Sequence, residues 1–171
     1  MSRSRVRRYD WEMIALFKLA HWIRIAFLRV ASRLEWLPPL LTRFVVGWVF
    51  LESGWGKLHH LPKVVEFFAS LGIPAPEIQA PFVAGVEFFC GTLLIVGVFS
   101  RIAALALIGT MVVAILTAKR ADIAGISDLF ALSEFLYIPL LLWIVATGPG
   151  PISIDRFLVR AFRKRVAGSR L

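Results

Sequence analysis

The sequence predicts an all-α, polytopic membrane protein: a four-helix transmembrane bundle with an N-terminal amphipathic interfacial helix and a short extracytoplasmic helix. Three observations carry this. Of the 171 residues, 58% are hydrophobic and the mean hydropathy is +0.76, whereas soluble domains hold about 45–50% apolar residues. The excess fits several spans better than one oversized core. Four stretches approach the roughly 20 apolar residues that a membrane crossing needs. Finally, a formal net charge of +9 is concentrated outside those stretches. The chain therefore divides into a basic amphipathic segment at 1–38, a membrane domain at 39–150 and a basic tail at 151–171.

The start, MSRSRVRRYDWEM, is basic like a signal n-region, but charge interrupts the residues after it and no small-residue cleavage site appears, so the chain is expected to stay uncleaved. Next comes WEMIALFKLAHWIRIAFLRVASRLEWL, where Leu16, Leu19, Ile23, Phe27, Val30, Leu34 and Leu37 recur at threes and fours, one face of a helix. Lys18, Arg24, Arg29 and Arg33 would each cost about 2.5–3.5 kcal/mol at the bilayer centre, which disfavours spanning. Two coverings of the apolar face remain open: an interface of anionic lipid headgroups, or a partner subunit.

The first span is expected at Leu40–Leu58, opened by Pro38 and Pro39 and closed by the HHLP turn. A short amphipathic helix then starts at Pro62, carries Val64, Val65, Phe67, Phe68 and Leu71, and stops at Gly72; it would lie as a lid on the outer surface. The second span, Ile78–Phe99, and the third, Ile102–Ala118, are separated only by Ser100 and Arg101, which makes them a tight antiparallel hairpin. In the third, Ala106, Thr110, Ala114 and Ala118 form a small-residue stripe suited to close helix contact. The fourth, Leu129–Thr147, should bend at Pro139 and stops at the GPGP breaker. A second basic helix comes after it, with Ser153 or Asp155 as its cap.

Four spans put both termini on one side. Nine Lys or Arg precede or include Arg43, six follow Asp155, and Arg101 joins them; the other side has only Lys57, Lys63, Lys119 and Arg120. By the positive-inside rule both termini are expected in the cytoplasm, in a cytoplasmic (inner) membrane. The same rule accounts for the basic flanks without nucleic acid, which is not expected as a partner. One cysteine, Cys90, excludes an internal disulfide and C-x-x-C dithiol chemistry.

The stretch GVEFFCGTLLIVG, Gly85 to Gly97, holds a carboxylate inside a greasy helix. Glu52, Glu87 and Glu134 all fall in the outer half of their spans, and ionisable groups inside membranes commonly mark functional pathways. Gly91, one turn from Glu87, would let a neighbouring helix approach closely. Glu52 and His59 are seven apart on one helix face, and Lys57 can swing toward either acid. Together Glu52, Lys57, Glu87, Glu134 and His59 make a candidate outward-facing pocket for proton transfer or for a small polar ligand or quinone head. The competing reading is a structural pin, Glu87 paired with Lys57 holding two helices together. No metal site is expected, since the His and carboxylate spacing is too loose, and neither a haem or iron–sulfur ligand set nor a dinucleotide fingerprint is present. Arg101 could pair with Asp155 on the cytoplasmic side.

The strings GWVFLESGWGKL, FFASLGIPAP, LLIVGVFSR after the Glu87–Gly91 pair, AALALIGTMVVAIL and TGPGPISIDRFL resemble the DoxX family of small four-helix membrane proteins. The resemblance covers about Arg43 to Leu158, and Lys57, Glu87, Gly91, Arg101 and the Gly148–Gly150 turn match its recurring positions. It implies a membrane subunit connected with redox chemistry, because members are named after a small subunit of an archaeal thiosulfate:quinone oxidoreductase and others are linked to complexes handling sulfur compounds or oxidative stress. The leading expectation is an accessory or anchoring subunit that meets a quinone while a redox partner protein supplies the electron-transfer centre. Alternatives are a proton-coupled transporter working as a homo-oligomer, and a scaffold without chemistry of its own.

Overall fold

Backbone polar groups in an apolar run must be satisfied internally, and each long run here achieves this as a helix. The computed structural model describes the backbone of residues 3–157, 159 and 160 and the side chains of 17–157, 159 and 160; no strand occurs among the described residues. In chain order the helices are α1 (Arg3–Leu34), α2 (Leu37–His59), α3 (Leu61–Ser70), α4 (Pro76–Val96), α5 (Ser100–Leu116), α6 (Ile126–Ala131) and α7 (Ser133–Thr147), with a single 3-10 turn at Arg120–Asp122. They fall into two compact units, Met1–Pro38 and Pro39–Leu171. The expected tail helix lies mostly outside the described residues; of its two candidate caps, Ser153 is the one whose Oγ accepts the Arg156 N–H, at 3.3 Å.

The first unit is α1, uninterrupted for 32 residues. Its apolar positions Leu19, Ile23, Phe27, Val30 and Leu34 are all exposed.

In the second unit α2, α4, α5 and α7 alternate in direction. The α2–α4 crossing is close because glycine stands at its contact points. A Cβ on Gly54 would come within 2.4 Å of the Phe88 nitrogen and 2.8 Å of the Ala84 carbonyl; one on Gly91 would come within 2.6 Å of the Leu51 nitrogen and 2.7 Å of the Gly47 carbonyl. The core around this crossing joins Val46 and Phe50 of α2, Leu94 of α4, Ala103, Ala104, Leu107 and Met111 of α5, and Leu141 and Ile144 of α7. Small α5 residues let α7 pack against it, and Phe50 meets Tyr137 edge-on at 5.5 Å.

Of the helices in this unit, α4 is both long and apolar enough to cross a membrane on its own. At 17 and 15 residues, α5 and α7 reach about 26 and 23 Å, short of the roughly 30 Å hydrocarbon thickness. The expected continuous fourth stretch, Leu129–Thr147, is broken. Leu132 is extended (φ −72°, ψ 128°) between α6 and α7, and α6 has a start of its own, where Asp128 accepts the N–H groups of Ala124 and Gly125 at 3.0 and 2.9 Å. Pro139 lies within α7, on an exposed side.

The α4–α5 turn also differs from expectation. It is built from Gly97 (φ 78°), Val98 and Phe99 (φ 49°), so Ser100 and Arg101 open α5 instead of forming the turn. Asp155 does not pair with Arg101. Its carboxylate accepts the N–H of Phe99 at 2.8 Å and of Ser100 at 3.1 Å, while its own N–H donates to the Gly97 carbonyl at 3.0 Å. The α5 N-terminus is thereby capped by a residue 55 positions further along the chain. Arg101 instead lies beside the C-terminal end of α7, with Nη2 3.5 Å from the Ala146 carbonyl and the guanidinium against Gly148.

Beside this cap, Arg43 is only 3% exposed and donates from Nη1 to the Pro149 carbonyl (2.7 Å) and from Nη2 to the Ile152 carbonyl (2.9 Å). The GPGP segment curls around it with Gly148 and Gly150 at φ 82° and 81°, values that glycine adopts without steric cost. Lysine has no fork to serve two carbonyls at once. Arg43→Lys is therefore expected to cost about 1.5–3 kcal/mol, the range for a hydrogen bond to a charged group. The check is a lowered thermal unfolding midpoint in detergent, together with faster proteolysis between residues 148 and 155.

Candidate functional site

The α2–α4 crossing sets the geometry of the site. Ser53 and Lys57, one turn apart on α2, face Glu87 on α4, one turn before Gly91. Glu87 is 2% exposed. Lys57 Nζ lies 2.5 Å from both carboxylate oxygens, and the Ser53 hydroxyl donates to Oε2 at 2.9 Å. All polar atoms of the carboxylate are thus satisfied by α2, the condition under which a buried charge is tolerated. Lys57 is less enclosed, with its side chain 32% exposed, so the pair has one buried and one accessible end.

The accessible end opens into a cavity of about 700 Å³ whose lining includes Lys57, Glu87 and Glu134. One wall is α3, held over the cavity by a chain reversal in which Gly72 adopts φ 71° and Ile73 N–H returns to the Phe68 carbonyl at 3.1 Å. Val64, Phe67, Phe68 and Leu71 present the apolar side of this helix to the space. The facing wall is α5, where Ala106, Gly109, Thr110 and Ala114 line it. The small-residue stripe expected to bring a neighbouring helix close therefore makes room for a cavity. Thr110 and Thr117 both return their hydroxyls to α5 carbonyls, Leu107 and Val113, which leaves the wall largely apolar.

Glu134 reaches the rim from the first turn of α7, where Ser133 donates to its Oε2 at 3.1 Å. Two members of the expected cluster are placed elsewhere. Glu52 is exposed and turned away from Glu87. It sits between Glu87's partner Ser53 and the exposed Trp48 and Trp55, so the helix phase that aims Ser53 and Lys57 inward turns Glu52 outward. His59 is exposed as well; its ring packs on Trp55 at 4.1 Å and its Nδ1 meets the Trp55 carbonyl at 2.9 Å. Neither residue lines the cavity. Two contributors escaped sequence reasoning: Ser53, a common residue with no distinguishing spacing, and Lys119, which stands at the rim 3.6 Å from Asp122.

An apolar space with a few convergent polar groups, floored by an ion pair with one buried end in a strongly apolar helical bundle, characterises a small membrane protein with an internal cavity. The comparisons with known proteins agree with that class and narrow it. The DoxX family model matches residues 39–120. An "Uncharacterized membrane protein Rv3486" of Mycobacterium tuberculosis is 35% identical over 149 residues, covering 78% of this chain and 88% of the relative. The chain belongs to the DoxX family. The "Inner membrane protein YqjF" of Escherichia coli is 26% identical over 127 residues, 74% of this chain and 96% of its own length. A Bacillus subtilis relative named "Putative oxidoreductase CatD" is 29% identical over 127 residues, 72% of this chain and 89% of its own. No solved structure matches the chain.

Proposed function

We propose that this DoxX-family membrane protein crosses the inner membrane four times with both termini in the cytoplasm, and serves as the quinone-meeting accessory subunit of a redox complex that handles sulfur compounds or oxidative stress. The observation that carries this reading is the union of a 700 Å³ apolar-walled cavity with the Lys57–Glu87 pair at its floor. A quinone head needs a flat apolar slot and a hydrogen-bond donor at its carbonyl oxygen. Lys57 has three N–H donors; two are taken by Glu87, which leaves one for a ligand in the cavity. Glu87, as a carboxylate, holds that ammonium in place. Electrons would come from a partner protein, because a quinone supplies only an acceptor for them. The oxidoreductase name carried by the Bacillus relative supports the same chemistry. The asymmetric distribution of Lys and Arg supports the orientation.

The test begins with the protein purified from native membranes in mild detergent. Organic extraction and chromatography of the extract are expected to recover quinone at close to one per chain, and an optical spectrum identifies any partner's flavin or haem. Ala114→Trp places an indole across the cavity and is expected to reduce the recovered quinone at least about tenfold, since filling a pocket excludes its ligand, while thermal stability is kept. A purified wild type without quinone and without a redox partner would overturn the reading. Proton or solute flux in vesicles containing this protein alone would replace it with the transporter alternative.

A further inference from the structure

Over residues 17–34 the first helix carries Lys18, Arg24, Arg29 and Arg33 and not one carboxylate. Leu19, Ile23, Phe27, Val30 and Leu34 succeed one another by four, four, three and four residues, so they share a face. All five are between 45% and 69% exposed. Lys18, His21, Arg29 and Ser32 fall on the other side. No uncharged run in this stretch exceeds five residues, which excludes a membrane crossing by α1 itself. Five large apolar residues in one exposed stripe equally exclude a helix meant for water on all sides.

The covering of the stripe is indicated by the sign of the charge beside it. Protein interfaces deplete charge at their centre and pair both signs at the rim. Here a single sign borders the apolar face for eighteen residues, which matches a surface that is apolar beneath and uniformly negative above. Trp22, 66% exposed, stands among the cations and is of the ring type that prefers the membrane–water boundary.

We propose that α1 lies flat on an anionic lipid surface, its Leu19–Leu34 stripe in the acyl boundary and Lys18, Arg29 and Arg33 among the lipid phosphates, so that the bilayer's charge sets whether this segment docks. Each cation near such a surface raises partitioning about fivefold, so removal of three lowers it by about a hundredfold. The test of this surface does not depend on the cavity's contents.

The experiment uses the full chain with Cys90→Ala, spin-labelled at Val30→Cys or Ser32→Cys, in nanodiscs of either pure phosphatidylcholine or a mixture with about 30% phosphatidylglycerol, a bilayer negative enough for polybasic attraction. In the anionic discs the label at 30 is expected to be reached by oxygen and shielded from a water-soluble nickel chelate, and the label at 32 the reverse. That contrast is expected to disappear in phosphatidylcholine and in the Lys18→Gln, Arg29→Gln, Arg33→Gln triple variant. Both labels open to nickel in anionic discs would overturn the proposal. So would a position 30 shielded from both reagents whatever the lipid, because that result means a protein surface covers the stripe.

Discussion

Gly54→Leu is expected to leave no folded protein in the membrane. The Cβ alone would overlap the backbone of α4, 2.4 Å from the Phe88 nitrogen and 2.8 Å from its Cα, and backbone atoms cannot rotate aside. The helices would have to move apart, which opens the core at Val46, Phe50 and Leu94 and draws Lys57 and Ser53 away from Glu87. Even alanine tips the balance. It gains up to about 1 kcal/mol in helix propensity over glycine, but overpacking costs about 1–3 kcal/mol, and at this separation the cost should lie at the upper end. Gly56→Ala is the control, since nothing lies within 4 Å of its Cβ; it should be neutral or slightly stabilising. Thermal unfolding by size-exclusion chromatography in detergent distinguishes the two, and a Gly54→Ala protein as stable as wild type would show that the helices do not meet as described.

Lys57→Met should be the second most damaging change, at about 3–5 kcal/mol, because it strands the Glu87 carboxylate in the interior with only Ser53 as donor. Glu87→Gln should cost less, as the lysine that remains is partly exposed and can turn toward solvent. The double variant Lys57→Met with Glu87→Leu should recover most of the lost stability, because an apolar pair of similar volume commonly replaces a buried ion pair without penalty. This cycle separates structure from function. A double variant that is stable, yet purifies without quinone, assigns the pair to ligand handling; one that is stable and still holds quinone leaves the pair a pin between helices. A stable Lys57→Met single variant would contradict the buried geometry itself.

The helical content and the approximate bounds of α2, α3, α4 and α5 were legible because apolar run length, Pro and Gly mark them locally. The proximity of Glu87 to Lys57 was among the options that helix reach allowed. Facing directions were harder. In α5 and α7 nearly every position is apolar, so no amphipathic phase exists to say which side meets a neighbour, and the Ala106–Ala118 stripe was assigned to a helix contact when it borders the cavity. Glu52 was grouped with Glu87 by depth, yet depth along a helix does not give azimuth: Ser53 and Lys57 point inward, and a residue one position from Ser53 turns about 100° away. The separate start of α6 is marked by Asp128 capping it, a local hydrogen bond that hydropathy does not register, and the break at Leu132 falls within an apolar run. The Asp155 cap joins residues 55 apart, and no local pattern carries such a link.

That link bears on how the chain is made. The amides of Phe99 and Ser100 emerge from the ribosome long before the carboxylate that will satisfy them, and Arg43 emerges earlier still, before Pro149 and Ile152. The first hairpin must therefore wait, incompletely bonded, until the final helix has been threaded back to it. Closure of this end is a late event in biogenesis, and a nascent chain halted before residue 155 should be recognised by quality-control proteases as unfinished.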